Sequence, residues 1–306
     1  MTKHEHHHKH TGHSHSHSHA HAPTFNRAFL ISIIANGGFV AAQVFFAIVA
    51  NSTSLLADAI HNLGDVLGLI MAWIANSLLK RASSEKASYG MKKTSILAAL
   101  ANGCMLIFTC GIIVSEAVYK LFSPSEIEAV SVIIVAAVGI VVNGATAALF
   151  LRGMNDLNIR SAYLHLLYDA FISLGVVISA SILYWTHWLW IDPLVGLLIA
   201  LIILRGTWSL FKDSFRLIID AVPREISLPS VRRLLQQEPG VTQVHDLHIW
   251  ALSTKEIALS AHLVMPEQEL TDASRQRLVE HLQEKYKIHH VTIQVEKDKS
   301  FCPDAC

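Results

Sequence analysis

The stretch LLADAIHNLGDVLGLIMAWIANSLL, residues 55–79, decides the class of this protein. It is apolar almost throughout, yet it carries Asp58, His61 and Asp65. A helix of that length, rising about 1.5 Å per residue, spans the roughly 30 Å of a bilayer's hydrocarbon core. Ionisable side chains at such depth are costly, so each one is a functional hypothesis from the start.

Five further runs have the same character. With the first they form a set of six: Phe29–Val49, Leu55–Leu79, Ile96–Lys120, Val130–Leu151, Ala162–Trp185 and Pro193–Phe211. Lipid admits only helices or closed barrels, and continuous rather than alternating hydrophobicity selects helices. The sequence therefore predicts a polytopic α-helical membrane protein with six transmembrane helices. Composition agrees: 52% of the 306 residues are apolar and 16% charged, against about 25% charged in soluble chains. Mean hydropathy is +0.41. The 24 basic and 24 acidic residues cancel, so nothing points to nucleic acid.

The four cysteines do not make a disulfide framework, since Cys104 and Cys110 lie in an apolar run and Cys302 and Cys306 at the C-terminus. Residues 1–21 are too polar for a cleavable signal peptide, so the first span is expected to act as its own insertion signal. Lys80, Arg81, Lys86, Lys92 and Lys93 follow span two, and Arg152 and Arg160 follow span four; the other connections lack Lys and Arg. The positive-inside rule then places the even-numbered loops and both termini in the cytoplasm.

Three parts are expected: a disordered tail over 1–24, a membrane domain over 25–211 and a cytoplasmic metal-binding and dimerisation domain over 212–306. In the last, Ser230–Gln237 reads as a helix, Val241–Trp250 and Ile257–Met265 as strands, Asp272–Tyr286 as a helix and His290–Val295 as a strand. This αββαβ order predicts a small α+β domain. Being marginal alone at that size, it is expected to pair with a second copy as a homodimer. The tail holds ten histidines within Met1–His21, four of them alternating with serine at His13, His15, His17 and His19. It cannot build a core but can gather Zn²⁺ as a metal-buffering segment. Its bland reading is a flexible tail or an expression tag.

The second span contains His61-x-x-x-Asp65 and the fifth contains His165-x-x-x-Asp169, the same pair at the same spacing. Residues four apart turn through about 400° and rise about 6 Å, so each His and Asp share a helix face. Two such pairs facing one another supply two imidazole nitrogens and two carboxylates, a tetrahedral set for Zn²⁺ whose charge the carboxylates neutralise. The bland alternative is a set of structural polar groups bonded between helices; the exact repeat in a separate span argues against it. Asp58 is read as a supporting or helix-end residue and Glu116 as interfacial. Without metal, opposed carboxylates repel and are poorly solvated, so the site should take up protons that metal binding expels. Competition at a site open alternately to each side becomes Zn²⁺/H⁺ antiport. The chain has no G-x-x-x-x-G-K-[ST] loop for nucleotide-driven transport.

Two His-x-x-x-Asp pairs in spans two and five, SLLADAIH over 54–61, NIRSAYLH over 158–165 and Asp192-Pro193 opening span six resemble the cation diffusion facilitators, in particular their zinc-transporting branch. The resemblance covers nearly the whole chain after the tail. It implies homodimers that export zinc, and in some cases cadmium, from the cytoplasm by alternating access and proton exchange. In a bacterial cell it implies the inner or plasma membrane. The C-terminal region is similar to the family's metallochaperone-like domain, which implicates His245, His262, His289, Glu296, Cys302 and Cys306 as ligands of a cytoplasmic zinc site. His289 and Glu296 are seven apart, which on one regular strand gives opposite faces. The cysteines are spaced C-x-x-x-C where the related branch has C-x-x-C. Two other functions compete: a membrane-anchored zinc-binding sensor, and an intramembrane metallohydrolase. The second lacks H-E-x-x-H, and four protein ligands would leave no position for water, so an enzyme is not expected.

Overall fold

The computed structural model describes residues 27–79, 81–151 and 157–298. Six long helices come first: α1 (Arg27–Val49), α2 (Thr53–Leu79), α3 (Thr94–Phe122), α4 (Ala129–Phe150), α5 (Leu157–Thr186) and α6 (Ile191–Ile218). Helices α2 to α6 are each long and apolar enough to cross a membrane. The side chains of α1 are described from Ile34 onward, but the helix runs 23 residues with Arg27 as its only charge. The expected helices are all present. Most extend a residue or two beyond the expected span, and two run well beyond it: α5 starts five residues earlier, and α6 carries on past Phe211 through Lys212, Asp213 and Arg216. Charge ends a hydrophobic run without ending a helix, because Lys212 and Arg216 are good helix formers and a single aspartate costs little.

The bundle buries small residues and displays large ones. Ala47, Ala57, Ala59, Ala117, Ala136, Ala180 and Ala200 are buried, whereas Phe45, Ile48, Trp73, Phe108, Ile134, Phe171 and Leu198 are exposed. That inversion suits a lipid surround, where small residues let helices approach closely. Helix α3 packs along α6 and α4 along α5, while α2 touches α1, α3, α5 and α6. At Gly196, α6 meets the backbone of a neighbouring helix directly. A Cβ there would stand 3.0 Å from the backbone carbonyl carbon and oxygen of Thr53, so only glycine lets α6 lie against the start of α2.

The second domain follows with α7 (Leu228–Gln236), β1 (Gln243–Ala251), β2 (Ile257–Val264), α8 (Asp272–Tyr286) and β3 (Ile288–Glu296). This is the expected αββαβ order. Strand β1 pairs antiparallel with β2, and β2 parallel with β3. Parallel neighbours need a crossover, which α8 supplies. Val231 and Leu235 of α7, Leu259 and Leu263 of β2 and Leu282 of α8 close one core with Ile288. Thr271 caps α8 by accepting from the Ser274 amide at 3.2 Å. Strand β1 is interrupted by a bulge between His245 and His248, where Asp246 takes φ 47°.

The small domain sits at the end of the bundle where α2 finishes and α3 begins. Lys93 pairs with Asp220 at 2.7 Å, Lys92 pairs with Glu256, and the Thr254 amide donates to Ser95 Oγ at 3.1 Å.

Candidate metal centre

Helices α2 and α5 run antiparallel through the site, so residues rising along one meet residues falling along the other. His165 Nε2 lies 3.3 Å from Asp65 Oδ2, and His61 Nε2 lies 3.3 Å from Asp169 Oδ1. Each histidine also approaches the aspartate of its own helix, His61 Nδ1 at 3.7 Å from Asp65 and His165 Nε2 at 3.6 Å from Asp169. The two rings stand edge to face with centroids 6.2 Å apart. These separations suit one small cation. Four ligands about 2.0–2.2 Å from a tetrahedral centre stand roughly 3.3–3.6 Å from each other.

Hydrogen bonding says the same. Both ring nitrogens of His61, Asp65 Oδ2 and Asp169 Oδ1 are buried without a hydrogen-bond partner. Buried polar atoms are rarely left so, and each one orphaned here is a competent metal ligand. Ligand atoms of His61, Asp65 and Asp169 lie within 4.8 Å of one another. Exposure is graded along the site. The side chain of His165 is 45% exposed and that of Asp65 29%, while His61 falls to 12% and Asp169 to 4%. The open end faces the small domain.

Beyond the closed end lie Asp58, expected as a supporting or helix-end residue, and partners of it that the sequence did not mark. Asp58 is fully buried; its Oδ2 accepts from Gln43 Nε2 at 2.7 Å and from Ser173 Oγ at 2.9 Å. Gln43 in turn accepts from Asn62 Nδ2 at 3.1 Å. Further along, Asp192 of α6 accepts from the Thr53 amide at 2.6 Å, Ser52 Oγ at 2.6 Å and Ser54 Oγ at 2.5 Å. A lone buried glutamine or serine has no spacing signature, so of these residues only Asp58, a charge in an apolar span, and Asp192, next to a proline, stood out beforehand. Glu116 is half-exposed near the end of α3 and pairs with Lys120 at 3.4 Å, which donates to the Asn51 carbonyl at 2.8 Å.

A second cluster lies on the sheet of the small domain. His245 Nε2 and His262 Nδ1 each stand 2.9 Å from Glu296, on separate carboxylate oxygens. The register explains this: His245 is opposite His262 across β1 and β2, and His262 is two residues, and so on the same face, from Val264, the partner of Glu296 across β2 and β3. Asp246, turned by the bulge, adds a carboxylate 3.3 Å from His262 Nε2 and 2.8 Å from His248. His289 is not brought to this cluster. It sits exposed at the opposite end of β3 from Glu296, about 23 Å away at some 3.3 Å per residue. The strand is too long for both to serve one site within a subunit. Cys302, Cys306 and the histidine tail lie outside the described residues.

Residues 29–219 match the cation efflux transmembrane domain and residues 223–298 the cation efflux protein cytoplasmic domain. The chain belongs to the cation efflux, or cation diffusion facilitator, family. It is 33% identical over 277 residues to the "Cadmium, cobalt and zinc/H(+)-K(+) antiporter" of Bacillus subtilis, covering 89% of each chain. It is 32% identical over 281 residues to "Zinc transporter ZitB" of Escherichia coli, covering 91% of this chain and 90% of that one. A solved structure, the "Metal-bound C-terminal domain of the CzcD transporter from Cuprividus metallidurans", matches 23% of this chain and 99% of its own length, at 36% identity and a TM-score of 0.21. This cation efflux protein is a multi-pass membrane transporter of metal cations and not an enzyme, which removes the metallohydrolase reading.

Proposed function

We propose that the chain is a homodimeric Zn²⁺/H⁺ antiporter that exports zinc, and also cadmium, from the cytoplasm by alternating access. His61, Asp65, His165 and Asp169 form its transport site. The observation that carries this reading is their convergence between α2 and α5, with buried ligand atoms that make no hydrogen bond. Two neutral imidazoles and two carboxylates suit Zn²⁺ in charge and geometry. The graded exposure, open at His165 and closed at Asp169, fits a state facing the side of the small domain. Lys86, Lys92 and Lys93 lie at that same end, so the positive-inside rule makes it cytoplasmic, together with both termini. The similarity to bacterial relatives supports a bacterial plasma membrane as the setting.

Proton exchange follows from the same groups. Zn²⁺ binds only neutral imidazole and ionised carboxylate, so loading expels protons and unloading invites them. Facing carboxylates without a cation would repel in a poorly solvated site, which gives the return step its proton demand.

The small domain provides a second zinc site, resident rather than transported. Two imidazoles and a carboxylate within bonding reach fit Zn²⁺, and His245, His262 and Glu296 would hold it there. The family's domain name, ZT_dimer, supports pairing through this domain. We assign Cys302 and Cys306 and the histidine tail of 1–24 to auxiliary metal capture around the membrane domain of 25–211 and the cytoplasmic domain of 212–306.

The test uses purified protein in sealed liposomes, with lumenal zinc and pH recorded together under an imposed proton gradient. Zinc uptake matched by proton efflux, and abolished by Asp169→Ala, is expected. Zinc entry without proton movement would remove the coupling. No zinc movement, with zinc still bound by the small domain, would leave a membrane-anchored sensor.

A further inference from the structure

The α2–α5 contact continues past the four metal-ligand residues. From the small-domain end outward it consists of Asp65 against His165, His61 against Asp169, and then Asp58 against Ser173. Ser173 follows Asp169 by four residues and Asp58 precedes His61 by three, so the third pair lies one helical turn farther out on the same faces. Both of its members are fully buried. One oxygen of Asp58 is held by Gln43 of α1 and Ser173 of α5, while Oδ1 is buried without a partner. A carboxylate with an unused oxygen in a dry site is unfavourable for packing alone. Nothing in the four-residue site makes use of it.

We propose that Asp58 is the next ligand on the ion's path out. In the state seen here, its bond with Ser173 holds α2 and α5 together and closes the far side of the site. When the two helices part on that side, this bond breaks. The freed carboxylate then takes the ion from His61 and Asp169 and passes it to the opposite face. Gln43 keeps Asp58 aimed during the exchange, because its amide is fixed at both ends, by Asp58 and by Asn62. The proposal rests on the four-residue site being the transport site.

Asp58→Asn discriminates transfer from packing. The amide keeps the shape and can still bond Gln43 and Ser173, whereas the charge that would receive a cation is gone. The assay is Zn²⁺ uptake into liposomes by full-length protein, with Zn²⁺ binding measured as the fraction that Asp169→Ala protein lacks. Expected for Asp58→Asn is binding and KM within about threefold of the unmodified protein, and a maximal rate lower by about tenfold or more, as for loss of one charge-assisted contact at the barrier. A maximal rate within about twofold of the unmodified protein would overturn the proposal. So would loss of binding as complete as in Asp169→Ala, which would make Asp58 part of the resting site. Ser173→Ala covers the case in which Asp58→Asn does not fold. It loosens the far side and spares the carboxylate, so the maximal rate should change by less than the roughly tenfold expected on loss of the Asp58 charge; a fall of about tenfold or more would mark the pair as structural and overturn the transfer role. Undiminished transport by Asp169→Ala would instead refute the four-residue site, and this proposal with it.

Discussion

Replacing Asp192 by alanine should unpin α2 from α6. The carboxylate is 1% exposed and accepts from the Thr53 amide at 2.6 Å, Ser52 Oγ at 2.6 Å and Ser54 Oγ at 2.5 Å. Thr53 and Ser54 open α2, and leading amides of a helix have no partner within it. Asp192 therefore caps α2 from a different helix, with its charge facing the positive helix end. The two serine hydroxyls, 3.3 Å apart, can turn toward each other. The lasting losses are the Thr53 amide bond and one hydroxyl bond, and with bonds to a charged group contributing about 1.5–3 kcal/mol each, the total is about 3–6 kcal/mol. At some 2–4 °C per kcal/mol for a chain of this order of size, the unfolding midpoint should fall by about 6–24 °C. Thermal unfolding followed by tryptophan fluorescence in detergent reads this directly. Ser54→Ala, which removes one hydroxyl alone, should lower the midpoint by only a fraction of that. A midpoint for Asp192→Ala within about 2 °C of the unmodified protein would show that the contact adds no stability and refute the capping argument.

Gly196→Ala presses a methyl group onto the Thr53 backbone at 3.0 Å and should destabilise by about 1–3 kcal/mol. Combined with Asp192→Ala it should add less than its own effect, since both act on one helix contact; full additivity in the same unfolding assay would count against that. Glu296→Gln should lower the zinc bound per chain in equilibrium dialysis while leaving the Asp169-dependent fraction unchanged. Zinc at about a hundredfold above its dissociation constant should stabilise the small domain of the unmodified protein by about 2.7 kcal/mol, a gain absent from Glu296→Gln if that cluster holds the ion. Lys93→Ala breaks a half-exposed ion pair with Asp220, and its effect on stability should stay within about 1 kcal/mol; a larger fall in the unfolding midpoint would mean that the pair is an anchor for the small domain.

Much of this arrangement could be read from spacing. An apolar run of about 20 residues means a helix in lipid whatever surrounds it, and His61/Asp65 and His165/Asp169 each obey the local geometry of a single helix. The strand and helix order of the small domain followed from equally local patterns, and α8 spans the predicted Asp272–Tyr286. What stayed hidden depends on contacts between distant segments. Gln43 gains meaning only where α1 meets α2, and Ser173 only where α5 does. Asp246 joins the histidine cluster because a bulge turns it to φ 47°, and a bulge in mid-strand leaves little trace in the alternation of residues. Glu296 was identified through family resemblance, and His289 along with it. The separation of those two along β3 is a matter of strand length, visible once the register is known.

Helix α6 passes from its cap on α2 to Ile218 without interruption. At about 1.5 Å per residue its 28 residues extend some 42 Å, about 12 Å more than the hydrocarbon core of a bilayer. The excess is a stiff post, and the small domain begins where it ends. Such a post multiplies angle into distance: a tilt of about 10° at the capped end displaces the far end by roughly 7 Å over that length. Modest rocking within the lipid would thus become a displacement large enough to make or break a protein contact outside it. The small domain is in effect a pointer on a dial, and a pair of fluorophores there would read the angle of the bundle.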